Sequence, residues 1–222
     1  MSLYYIIYLS LIFVSLVLAL ITLRKGDKKS IYLVLVLSIT LFTESYATIL
    51  IHNRQQFVWL YHLFCPIDYT LFCLYYLNTC SQYALRLFTK CSIPVFILFC
   101  WYASHNNYTT ADHYHRYSIP SINIVFESFL LFILYTHLLF CLNVDLDNPA
   151  YKHLDFWLSI GILINYGGNF VFLGLYPYLF KLNTDKTLNL FGLISRPLNI
   201  VLYSCIIAGL ICLIRSKNSF TS

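Results

Sequence analysis

Glu44, Asp68 and Glu127 are acids set inside long apolar runs, and Arg196 is a guanidinium in a similar setting. A charged group at bilayer depth costs about 2.5–3.5 kcal/mol or more, so it is paired, neutralised or turned toward a wet cavity. Carboxyls held that way can bind a ligand, pass protons or do acid–base work at a lipid headgroup. The companions of these residues share helical faces with them. Thr40, Glu44 and Thr48 recur at i, i+4, i+8, and Tyr61, Asp68 and Tyr75 recur every seven residues. Asn123 pairs with Glu127, Asn165 is followed by Asn169, and Arg196, Asn199 and Tyr203 fall at i, i+3, i+7. His62 and Pro66 lie in the same run as Asp68, where Pro66 removes a backbone bond and predicts a kink.

The elements that must position these groups follow from composition. Of 222 residues, 59% are hydrophobic and only 10% charged, with mean hydropathy +0.71. Soluble domains carry about 25% charge, so the chain reads as an all-α, polytopic membrane protein. Seven spans are expected, over about residues 3–23, 31–51, 57–78, 84–104, 119–142, 155–180 and 188–214, forming a single seven-helix transmembrane domain. The first has no basic stretch before it and no cleavage pattern after it, so it reads as retained. No repeat relates the two halves, which argues against a repeat-built transporter.

Lys and Arg set the expected orientation. Arg24, Lys25, Lys28, Lys29, Arg86, Lys90, Lys152, Arg215 and Lys217 fall on one side, against Arg54, Arg116, Lys181 and Lys186 on the other. The positive-inside rule then puts the N-terminus outside and the C-terminus in the cytoplasm. At 1.5 Å of rise per residue, His62 lies about 8 Å from the outer end of its helix, Glu44 about 10 Å, Glu127 and Arg196 about 12 Å, and Asp68 about 16 Å. His137 is the exception, lying toward the cytoplasmic side. The expected site is an outward-facing polar cavity between helices two, three, five, six and seven, lined by Glu44, Tyr61, His62, Asp68, Glu127, Asn169, Arg196, Asn199 and Tyr203. One acid should pair there with Arg196. A closed network that only fixes helix packing is the competing reading.

Other chemistries are weakly signalled. The net charge of +5 sits in membrane-flanking loops, so no nucleic acid is expected. Eight cysteines contain no CxxC pair and read as packing residues, Cys80 and Cys91 flanking one loop. Asp112, His113 and His115, with His105 nearby, form a weak zinc pattern on a polar loop, and Asn107–Tyr108–Thr109 matches a glycosylation sequon. No HExxH, GxSxG or phosphate-binding loop occurs, and no cofactor or metal is expected. A retinal linkage has no lysine to form on, since the last span carries Arg196 instead.

The pattern resembles a group of uncharacterised, small seven-helix integral membrane proteins of Bacteroidota. The residues that carry this are Glu44, Trp59-Leu60-Tyr61 before Asp68, Phe156-Trp157 followed by Gly161, Leu163 and Tyr166, and Asn199 with Tyr203. Asp68 stands where that group has Glu. The resemblance implies a fold and a bacterial inner (plasma) membrane address. Together these features predict a receptor or sensor that binds a small ligand or protons and signals through a membrane or cytoplasmic partner protein, with membrane lipids around it. With no output domain visible in the chain, such a receptor would need that partner. The alternatives are a small proton-coupled transporter, an outer-leaflet lipid-modifying enzyme and a structural subunit of a membrane complex.

Overall fold

The structure, a computed structural model, describes residues 3–53, 55, 57–109, 121–142, 149–182 and 184–218. They form seven helices: α1 (Leu3–Arg24), α2 (Ser30–His52), α3 (Val58–Thr79), α4 (Tyr83–Thr109), α5 (Ser121–Phe140), α6 (Leu154–Leu182) and α7 (Thr184–Asn218). A single 3₁₀ turn, Ala150–Lys152, precedes α6, and no strand occurs among the described residues. Six of the seven are long and apolar enough to cross a membrane.

The exception is α3, the helix that carries His62, Pro66 and Asp68. Its length matches the others, but its polar residues lower its hydropathy. Its position explains why that is tolerated. It packs against α2, α4 and α5, and Tyr69, Phe72, Cys73, Tyr75 and Tyr76 are almost fully buried. Its inner face meets side chains rather than lipid and can carry Asp68, while Trp59, Leu63 and Ile67 are exposed on the outer face. Pro66 does not end α3: the helix continues through it, and Thr70 Oγ1 donates to the Pro66 carbonyl at 2.6 Å.

The helices close into a ring. α1 packs on α2 and α7, α2 on α3, α3 on α5, α5 on α6, and α6 on α7. α4 lies outside this circuit, against α3 and α5. The α6–α7 seam is closest because it lacks side chains where the helices touch. A Cβ on Gly161 would stand 3.0 Å from Cys205 Cβ, and one on Gly209 would stand 2.8 Å from Leu154 Cδ1. Small residues permit this approach. The helices themselves outrun the expected bounds, since α6 reaches Leu182 and α7 begins at Thr184, leaving almost none of the connection expected over residues 181–187.

At the α1–α2 end the chain reverses through Gly26, whose φ of 84° suits a residue without Cβ. Ser30 Oγ donates to Asp27 Oδ2 at 2.6 Å, and Thr22 Oγ1 lies 2.9 Å from Ser30 Oγ. These bonds tie the hairpin together. Outward, Ile6, Phe13, Phe42, Leu98, Trp101 and Phe140 are exposed, an apolar surface suited to lipid.

Candidate functional site

Inside the ring lies a cavity of about 150 Å³. Helical periodicity supplies its walls. α2 presents Val36, Thr40 and Glu44; α3 presents Tyr61, Phe64, Cys65, Asp68 and Phe72. α5 adds Ile124 and Glu127, and α6 adds Asn165, Tyr166 and Asn169. α7 adds Asn199, Leu202, Tyr203 and Ile206, and α1 contributes Tyr8. Every member of the ring lines the cavity, and none of the lining residues comes from α4.

Seven of the nine residues expected from sequence therefore meet here: Glu44, Tyr61, Asp68, Glu127, Asn169, Asn199 and Tyr203. Their bonding is mostly between helices. Tyr166 O–H donates to Asp68 Oδ2 at 2.6 Å, and Tyr61 O–H donates to Glu44 Oε1 at 3.3 Å. Cys65 S–H donates to Glu127 Oε2 at 2.9 Å. Three amides and a hydroxyl form a line: Ser195 Oγ to Asn169 Oδ1 at 3.5 Å, Asn169 Nδ2 to Asn165 Oδ1 at 3.2 Å, and Asn165 Nδ2 to Asn199 Oδ1 at 2.9 Å. Asp68 and Glu127 are 5% and 3% exposed, so they are shut off from bulk water. Glu127 Oε1, Ser128 Oγ and both polar atoms of Asn123 are buried with no hydrogen-bond partner. Such orphans are uncommon, and among these Glu127 is the one that lines the cavity.

Two expected members lie elsewhere. His62 is not a cavity residue; its Nδ1 is 2.9 Å from Ser104 Oγ on α4. It shares the depth of the acids but not their face, because one residue past Tyr61 turns about 100° around the helix. Arg196 is likewise outside. It is exposed, and its guanidinium lies 5.1 Å from the ring centroid of Tyr4. Its residue shares a face with Asn199 and Tyr203, but the long side chain reaches out past the end of the cavity, which keeps its charge hydrated. The expected acid–Arg196 pair is not formed. Among the described residues the ion pair is Lys29–Asp155, at 3.6 Å.

Tyr8, Cys65, Asn165 and Tyr166 were not singled out as site residues from sequence. Asn165 and Tyr166 carried a signal, since they sit beside Asn169 on the α6 face. Tyr8 carried a faint one, since it recurs with Ser15 and Thr22 every seven residues along α1. It joins edge-on to Tyr203 at 5.7 Å between centroids and hydrogen-bonds to Glu44.

A second, wider cavity of about 500 Å³ lies at the opposite end, between the starts of α2 and α6 and the ends of α3 and α5. Lys29, Gln82, His137, Cys141, His153 and Asp155 line it. His137 bridges, with Tyr76 O–H at 2.8 Å from Nδ1 and Gln82 Oε1 at 3.1 Å from Nε2. Tyr75 O–H donates to Asp155 Oδ1 at 2.5 Å. Between the two cavities lie Phe72, Tyr75, Tyr76 and Tyr135, all buried, with Tyr135 O–H donating to the Phe72 carbonyl at 3.1 Å.

Among the described residues, no three His, Cys, Asp or Glu side chains are grouped to hold a metal ion. The weak zinc pattern at Asp112, His113 and His115 lies outside the described residues; Asn107–Thr109 falls in the last turn of α4. Compared with protein-family models, curated proteins and solved structures, the chain matches none.

Proposed function

We propose that this chain is an integral membrane receptor or sensor, with seven spans, that takes a small ligand or protons into the cavity inside its ring. The observation that carries the reading is the convergence of Glu44, Asp68 and Glu127 from three helices on one cavity, where Glu127 Oε1 is buried without a hydrogen-bond partner. Intramembrane ionisable groups gathered around a cavity mark function by default. In the orientation set by Lys and Arg, this cavity belongs to the outer half of a bacterial inner membrane. Filling it would draw α2, α3 and α5–α7 together, and the shift would pass to a partner protein at the cytoplasmic end. Replacing Glu44 by Gln and Asp68 by Asn should abolish the stimulus response while the protein stays folded. An unchanged response in the double variant would sink the reading.

One observation favours a second reading, a small proton-coupled carrier. Polar cavities stand at both ends, separated by the aromatic group around Phe72 and Tyr135. A carrier would open that group alternately to each side. Flux of protons or solute into proteoliposomes distinguishes the two, since a receptor passes none.

A further inference from the structure

We infer that the ligand of the inner cavity is a small organic monocation, a protonated primary amine; the inference rests on the ligand-binding reading above. It starts from the charge inventory. Among the described residues, three carboxyls line the cavity and no Lys, Arg or His does. The cations that sequence or proximity could supply are occupied elsewhere: Arg196 lies over Tyr4, and Lys29 pairs with Asp155 in the other cavity. A buried acid without a counter-charge is costly to hold, and a cation entering the cavity would relieve that cost.

The hydrogen-bond inventory points the same way. Tyr166 and Tyr61 already spend their hydroxyl protons on Asp68 and Glu44. Glu127, 3% exposed, takes the thiol at Oε2 and bonds to the Asp68 carboxyl, and nothing reaches its Oε1. A thiol is a weak donor. The lining carboxyls therefore keep acceptor capacity that the donors bonded to them do not fill. An ammonium group brings three N–H donors and no acceptor, which is the complement. An anion would meet three acids. A bare metal ion would want several oxygens converging on one point, and the described side chains form no such group.

The remaining wall selects for an organic body behind the charge. Tyr8, Phe64, Phe72, Tyr166 and Tyr203 present aromatic rings to the cavity. Ring faces attract cations and also pack against methylene groups. A volume of about 150 Å³ accommodates a molecule about the size of benzene. The ammonium would sit between Asp68 and Glu127, and the alkyl part against the rings.

The test is calorimetric binding to the full chain in nanodiscs, with n-butylammonium, n-butanol and butyrate as probes of one size and three charges. Butylammonium should bind, and butanol and butyrate should be weaker by about tenfold or more, as loss of a charge-assisted bond requires. Glu127→Gln and Asp68→Asn, both close to isosteric, should each weaken butylammonium by about tenfold or more. Either variant alone carries the test if the other misfolds. If butanol or butyrate binds as tightly as butylammonium, and Leu202→Trp blocks it, the cation is wrong although the cavity still binds ligands. If none of the three binds, the inference is overturned, while the receptor reading stands or falls on the stimulus response.

Discussion

Tyr166 on α6 donates its hydroxyl proton to Asp68 on α3 at 2.6 Å, joining residues 98 positions apart. α5 stands between the two helices in the ring, so this bond crosses the cavity interior and fixes the Asp68 carboxyl. Tyr166→Phe keeps the ring and removes the donor. It should lower the unfolding free energy by about 1–3 kcal/mol, the range for stranding a buried acceptor. Unfolding in mixed micelles would measure it; an unchanged midpoint would mean that the bond contributes nothing.

The α6–α7 seam gives a prediction with an internal control. A Cβ at Gly161 would stand 3.0 Å from Cys205 Cβ and 3.3 Å from the Leu202 carbonyl, whereas one at Gly174 meets nothing within 4 Å. Gly161→Ala should therefore destabilise by about 1–3 kcal/mol through overpacking. Gly174→Ala should be neutral or stabilising by up to about 1 kcal/mol, since alanine is the better helix former. Equal effects at the two sites would contradict the packing described.

Arg196 and His62 lie outside the inner cavity. Arg196→Gln and His62→Ala should leave butylammonium affinity within about twofold of the parent, a change too small for a lost direct contact. A large loss with either variant would return that residue to the site.

At the opposite end, Asp155 accepts from Tyr75 and pairs with Lys29. Lys29 is 37% exposed at its side chain, so its pair is screened and Lys29→Ala should cost no more than about 1 kcal/mol. Tyr75 is buried, so Tyr75→Phe should cost more than the lysine change. Chemical unfolding of both variants ranks them, and the reverse order would refute the assignment.

Cys141 is exposed beside the second cavity. In the orientation proposed above, a membrane-impermeant maleimide should label it in inside-out vesicles and spare it in right-side-out ones. Labelling from the outside would invert the orientation, and the inner cavity would then face the cytoplasm.

Much of the site could be read from helical spacing alone. Glu44 with Thr40, Asp68 with Tyr61, and Tyr203 with Asn199 each share a face by period, and those faces do turn inward. Depth was a poorer guide than face, which is why His62 was misplaced: it lies level with the acids but turns toward Ser104 on α4. For Arg196 the face was right and the reach was wrong, because a long flexible side chain ends several ångströms from its own backbone. The expected cavity left out helices one and four: α4 does stand off the ring, whereas α1 joins it. α4 has no more or less periodicity than its neighbours, and its place is decided by contacts distant in sequence. Tyr8 shares its face with Ser15 and Thr22, at i+7 and i+14, small hydroxyls that mark the inner side of α1 only faintly. The modest hydropathy of α3, read as a spanning segment like the rest, comes from polar residues such as Asp68 turned toward the other helices.

The central claim is that the ring encloses a site rather than a packed polar core, and a high-resolution map of the protein in nanodiscs tests it most directly. The account predicts an open cavity with non-protein, non-lipid density touching Asp68 and Glu127. A collapsed, dry interior in which Glu127 Oε1 and Asn123 have found protein partners would contradict it, and would leave the polar residues as packing alone.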